Sequence, residues 1–128
     1  MGCKLSAVCR DCHSSFEVYE GGAILSHALR CEECGETKFV SIYDLGELHT
    51  RFAKGLPGAY AGLTERKDAF IREFEPVEPI SQTEYFAGIE AVAGHCSCGG
   101  KFTLTASPRC PACRSTNVST GVVLMDYD

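Results

Sequence analysis

The residues of this chain that can do chemistry are its cysteines. There are nine in 128 residues, and eight of them fall into four close pairs: Cys9/Cys12, Cys31/Cys34, Cys96/Cys98 and Cys110/Cys113. Two thiolates on one tight turn converge on a single soft metal ion, and two such turns supply a closed tetrahedral set of four sulfurs. Taken in chain order, Cys9, Cys12, Cys31 and Cys34 are expected to form one site. Cys96, Cys98, Cys110 and Cys113 are expected to form a second. Zinc is the metal such sets hold as structural ions, so two zinc ions per chain are expected. Backbone amides in each turn would donate to the sulfurs, and Gly35 and Gly99 follow a ligand where a left-handed conformation is useful.

One pair is irregular. Cys96-Ser97-Cys98 is a residue shorter than the other three, which leaves two assignments. Either Cys96 and Cys98 both bind, or His95 replaces Cys96 at the ordinary three-residue step. Thiolate is the softer ligand, and a uniform set favours Cys96. The remaining cysteine, Cys3, is a spare thiol. Met1-Gly2-Cys3-Lys4-Leu5-Ser6 fits the short pattern for N-myristoylation, but Leu5 to Val8 reads better as the first strand before Cys9. His13 follows Cys12, but that site already has four sulfurs, so His13 is expected at the surface; His27 and His49 lack ligand spacing and are expected to be ordinary residues.

Nothing else in the chain forms a catalytic set. No Ser/His/Asp arrangement, phosphate-cradling Gly loop or three-ligand metal site with a vacancy is apparent. The zinc deaminase pattern fails too, because His95 has no Glu two residues on and Arg109, not Pro, precedes Cys110. The chain is therefore expected not to be an enzyme.

The elements that must position the cysteines can be read more coarsely. Phe16, Val18 and Tyr19 predict a strand after the first pair, and Phe39, Val40 and Ile42 a return strand after the second. Lys101 to Thr105 alternates like a strand, and Val118 to Met125 reads as a long closing one. The middle reads as three helices. Asp44 with Glu47 resembles a capping box opening the first, which Gly55 ends. Thr64 would cap a second, running to about Phe74. Ser81 with Glu84 would open a third, with Tyr85, Ile89 and Val92 on its buried face. The expected fold class is small α+β: a zinc β-ribbon over 1–43, a helical linker region over 44–93 and a second ribbon over 94–128.

The two cysteine-bearing segments resemble zinc ribbons of the broad rubredoxin-like class. The resemblance rests on Cys9/Cys12, Cys31/Cys34-Gly35, Cys98-Gly99-Gly100 and Arg109-Cys110-Pro111-Ala112-Cys113. It implies a three-stranded sheet pinned by one metal in each unit, and no single function. Rubredoxins proper carry iron. The short Cys96-x-Cys98 step and the absence of Trp depart from them, so zinc is expected rather than iron.

Charge limits the partners. The formal net charge is −5. Residues 1–43 carry four bases and six acids, 44–93 five bases and nine acids, and 94–128 three bases and two acids. Each four-thiolate zinc site adds roughly −2 more. An acidic chain is poorly suited to general nucleic-acid binding, which rests on neutralising phosphates. A protein partner is expected first. A nucleic-acid contact is the alternative, through Lys101, Arg109 and Arg114 on a C-terminal ribbon almost free of acids. A redox or metal-handling role is a further alternative. No stretch is apolar enough to span a membrane and the N-terminus lacks the apolar core of a signal peptide, so a reducing, cytoplasmic setting is expected, where paired cysteines bind metal more often than they form disulfides.

Overall fold

Strand-forming runs at both ends of the chain meet in one sheet. The computed structural model describes residues 2–21, 25–56, 70, 71 and 73–127. Strand β1 (Gly2–Cys9) lies at the centre of a three-stranded antiparallel sheet. On one side it pairs with β2 (Ser15–Glu20), and on the other with β6 (Val118–Tyr127). The β1–β2 register is regular, from Cys3 opposite Glu20 to Val8 opposite Ser15. The β1–β6 register shifts twice, between Lys4 and Leu5 and between Leu5 and Ala7. Gly2 is built into this ladder opposite Tyr127, whose ring leaves no room there for a Cβ.

A second antiparallel sheet has the order β4 (Thr37–Ser41), β3 (Ser26–Cys31), β5 (Phe102–Thr103). Sequence patterning misses β3, because Ser26-His27-Ala28-Leu29-Arg30-Cys31 shows no clean alternation of apolar and polar residues. The strand expected over Lys101 to Thr105 is only two residues long. Ile42, expected at the end of β4, instead begins a helix.

Helix α1 (Ile42–Leu45) is opened by Ser41, not by Asp44. The Ser41 hydroxyl accepts from the Asp44 amide at 3.1 Å, and the Asp44 carboxylate accepts from the Ser41 amide at 2.9 Å. The capping box is genuine but lies one turn earlier than the sequence suggests, with Asp44 at its far end. Gly46, at φ 55°, then separates α1 from α2 (Glu47–Gly55). The helix expected from Thr64 lies outside the described residues except at 70, 71, 73 and 74, which are helical. Helix α3 (Gln82–Ala93) starts as expected, with Ser81 accepting from the Glu84 amide at 3.2 Å. Tyr85 and Ile89 are buried as expected, whereas Val92 is 47% exposed and Ala93 takes the inner position.

The principal core lies between α3 and the β3 sheet. Leu29, Val40, Leu45, Tyr85, Ile89 and Phe102 pack there, and Cys31 and Cys96 belong to the same cluster. Gly88 lets α2 approach α3, since a Cβ on it would stand 2.5 Å from the Leu48 side chain. Tyr85 carries a polar pair into this core. Its hydroxyl is hydrogen-bonded to His49 Nδ1 at 2.8 Å and to His27 Nε2 at 3.1 Å. His49 is only 3% exposed, and burial pushes the His27 imidazole below its usual pKa. Both histidines are therefore structural, and neither lies in a cysteine cluster.

The two sheets are joined by side chains. Tyr19 of β2, Phe39 of β4 and Tyr127 of β6 form a trio of edge-on rings with centroids 5.0 to 5.8 Å apart. Arg30 of β3 donates to the carbonyls of Tyr19 at 2.7 Å and Ala106 at 2.6 Å. Among the described residues, no helix is long and apolar enough to cross a membrane.

Candidate metal centres

Each cysteine pair lies on the same kind of turn. In three of them the first cysteine's amide donates to the carbonyl five residues on: Cys9 to Ser14, Cys31 to Glu36 and Cys110 to Ser115, at 2.8 to 2.9 Å. Its carbonyl accepts from the amide four residues on: His13, Gly35 and Arg114. The Cys96 turn repeats both bonds one residue sooner, with Gly100 at 2.8 Å and Gly99 at 2.9 Å. The short pair is thus the ordinary turn with one residue removed. In all four turns the residue after the second cysteine is left-handed: His13 at φ 62°, Gly35 at 79°, Gly99 at 93° and Arg114 at 62°. Only two of the four are glycine, so glycine alone marks half of these turns.

The four turns pair across the chain, not in sequence order. Cys9, Cys12, Cys110 and Cys113 form one cluster, and Cys31, Cys34, Cys96 and Cys98 form the other. The expected sets Cys9/Cys12/Cys31/Cys34 and Cys96/Cys98/Cys110/Cys113 are therefore corrected, although the same eight residues are used. Strand pairing is the cause. Cys9 ends β1, which runs beside β6, and Cys9 pairs with Val118 just beyond the Cys110/Cys113 turn. Cys31 ends β3, and its partner Phe102 follows the Cys96/Cys98 turn. Each ladder delivers a distant turn to its site. Loop closure costs only about 0.6 kcal/mol per doubling of loop length, so a few strand hydrogen bonds outweigh the advantage of nearer partners.

Sulfur spacing suits a metal. Within each cluster every sulfur lies within 4.8 Å of the other three. Cys9–Cys113 and Cys34–Cys96 are 3.6 Å apart, and Cys12–Cys110 and Cys31–Cys98 are 3.5 Å apart. A tetrahedron with metal–sulfur bonds of about 2.3 Å has sulfur–sulfur edges of about 3.8 Å, whereas a disulfide needs about 2.05 Å. All nine cysteines are free. Cys96 is in its cluster, while the exposed His95 makes a backbone bridge to Lys101. Backbone amides support the sulfurs, as Cys12 donates to Cys9 Sγ at 3.5 Å and Gly100 to Cys98 Sγ at 3.4 Å.

The surroundings of the two clusters differ. Beside the outer cluster (Cys9/Cys12/Cys110/Cys113), the hydroxyl and amide of Ser14 hold the Cys12 thiol down to about 6. Asp11 braces the two turns by accepting from the Ser115 hydroxyl and from Asn117 Nδ2, the latter at 3.0 Å. In the inner cluster (Cys31/Cys34/Cys96/Cys98), the Glu36 carboxylate accepts from Cys96 Sγ at 3.0 Å. Sequence reading singled out neither Asp11 nor Glu36, since an acid beside a cysteine pair has no periodic signature.

Arg109 joins the two clusters, a placement that no sequence pattern signals. Its Nε donates to the Glu32 carbonyl at 2.8 Å, inside the inner turn, and its Nη1 donates to the Arg114 carbonyl at 2.9 Å, at the end of an outer turn. Beside it, Gly35 has no room for a Cβ, which would stand 2.7 Å from that of Arg109. Arg30, Arg109 and Arg114 line a cleft of about 470 Å³ together with Glu17, Glu36, Phe16 and Tyr19. Lys101 is exposed and lies outside this cleft.

Fold and site together define a small α+β protein with two interleaved four-cysteine clusters able to hold metal ions. The chain matches, over residues 5–119, the family described as Domain of unknown function (DUF8255), and it belongs to that family. No curated protein and no solved structure matches it.

Proposed function

We propose that this is a non-enzymatic zinc protein in which two structural four-cysteine sites hold a small scaffold that serves as a protein-interaction adaptor or regulatory module. The observation that carries this reading is the closure of both clusters. Four sulfurs fill a tetrahedral set and leave no coordination position for water or substrate. Cys9, Cys31, Cys96 and Cys110 are buried, as ligands of structural ions are. When bound, zinc would supply the cross-link between turns that a small core needs. The exposed apolar run of β6 supports the adaptor role. Val122 is 72% exposed, and Val123, Leu124 and Met125 follow it in the outermost strand of its sheet.

Elemental analysis with native mass spectrometry tests the scaffold, and two zincs per chain are expected. Chelation should then abolish the far-UV circular dichroism of both sheets. An unchanged spectrum after both metals are stripped would refute the structural role. The adaptor role predicts stoichiometric capture of a protein from the cell's own extract, lost on Val122→Lys/Leu124→Lys while metal content is kept. Capture that survives this change would remove β6 from the argument, and no capture at all would remove the adaptor role.

A nucleic-acid role draws less support. Arg109 spends two of its N–H groups on backbone carbonyls. Arg30 and Arg114 share their cleft with two carboxylates and with Cys34 of the inner cluster.

A further inference from the structure

The two clusters are nested along the chain. The outer one joins the turns nearest the ends, and the inner one joins turns that lie between them. We propose that the two metal ions are taken up and released as a coupled pair, with Arg109 as the positioning residue that links the sites. The inference rests on the reading of both clusters as metal sites.

Chain topology alone supplies part of the coupling. Without the outer site, joining the inner turns closes the 61 residues between Cys34 and Cys96. With the outer site formed, the 18 residues between Cys12 and Cys31 and the 11 between Cys98 and Cys110 provide a second tether in parallel. The effective loop then falls to about 20 residues, and the logarithmic cost of closure makes the inner site about fivefold tighter. Linkage requires the inner site to favour the outer one by the same factor. Had the pairs closed in chain order, the two loops would share no segment and this factor would be one.

Local geometry adds to it. Arg109 holds a carbonyl of the Cys31/Cys34 turn and the carbonyl that follows Cys113, so ordering either turn places a donor for the other. Its planar guanidinium spans both carbonyls, which a lysine ammonium would not do in the same fixed geometry. Gly35 keeps the inner turn close to the Arg109 stem.

The test starts from the two-metal protein and withdraws half of its metal with a chelator, counting the species by native mass spectrometry. Independent sites of any two affinities leave half or more of the chains with one metal. Fivefold coupling lowers that fraction to about a third for sites of equal intrinsic affinity, and keeps it below half until the two affinities differ by more than about eighteenfold. A one-metal fraction of half or more, with the Cys12→Ser/Cys113→Ser chain holding its inner metal as tightly as the intact chain, would overturn the proposal. Arg109→Lys should raise that fraction above the wild-type value while the two-metal state is still reached; an unchanged fraction would remove Arg109 from the coupling. Should Arg109→Lys fail to fold, Cys12→Ser/Cys113→Ser provides the second arm. Removing the outer site should let a chelator take the inner metal at about one-fifth of the free concentration, and no change would overturn the coupling. A chain that never carries two metals would defeat the two-site reading itself, whereas two independent metals would defeat only the coupling.

Discussion

The outer and inner clusters use the same turn and the same four sulfurs, yet they are buried against different things. Cys31 and Cys96 of the inner cluster belong to the principal hydrophobic core, with Leu29, Tyr85, Ile89 and Phe102. The outer cluster stands apart from that core. It is held by the β1–β6 ladder and by the polar brace of Asp11 to Ser115 and Asn117. Identical ligand chemistry can thus serve as a core component in one place and as a fastener for a sheet in the other. Small chains rely on metals because their apolar cores are thin. Here one site thickens the core, and the other ties the two ends of the described chain together.

The sharpest way to break this comparison is to remove one ligand from each cluster. Cys31→Ser should lose the inner metal and leave a hydroxyl facing apolar neighbours, which adds roughly 1–3 kcal/mol to the lost metal energy. Hydrogen exchange in α3 and β3 should accelerate. Cys110→Ser should lose the outer metal and expose the β1–β6 amides to exchange, while α3 stays protected. If both variants melt the same amides, the two clusters do not differ in the way described.

A smaller effect isolates the core side. Tyr85→Phe keeps the ring in place but strips both histidines of their shared hydroxyl. His49 is buried, so the loss should cost about 1–3 kcal/mol of stability, read as a lower denaturant midpoint with unchanged metal content. Loss of metal in this variant would mean that the Tyr85 network supports the inner turns directly.

The smallest effect concerns the outer turns. His13 and Arg114 hold left-handed backbone that costs a side-chain-bearing residue roughly 1 kcal/mol, whereas glycine adopts it freely. His13→Gly should leave stability unchanged or raise it by up to about 1 kcal/mol, measured by chemical denaturation of the metal-loaded protein. Inner turns already carry glycine at the equivalent Gly35 and Gly99. A marked destabilisation by His13→Gly would show that the imidazole itself contributes to the outer site.

Sequence by itself determined which eight cysteines form the two clusters. Thiolate pairs on short turns are local objects, and their spacing is legible without any tertiary structure. Strands β2 and β6 and the start of α3 were legible for the same reason, since alternation, β-branching and a Ser-x-x-Glu cap act over a few residues. The capping box at Ser41 was displaced by one turn because Ser-x-x-Asp and Asp-x-x-Glu overlap there, and only the backbone path through Gly46 separates them. Strand β3 was missed because it pairs on both sides and carries Arg30 and His27 into side-chain contacts that conceal its alternation. Which pairs come together in one cluster was decided by tertiary structure alone. The chain-order assignment followed from proximity in sequence, but proximity is worth little when closure entropy grows only logarithmically with loop length. Strand ladders between residues roughly seventy positions apart at the inner site and more than a hundred apart at the outer one chose the partners, and Arg109 joins the two sites only because those ladders bring the turns together.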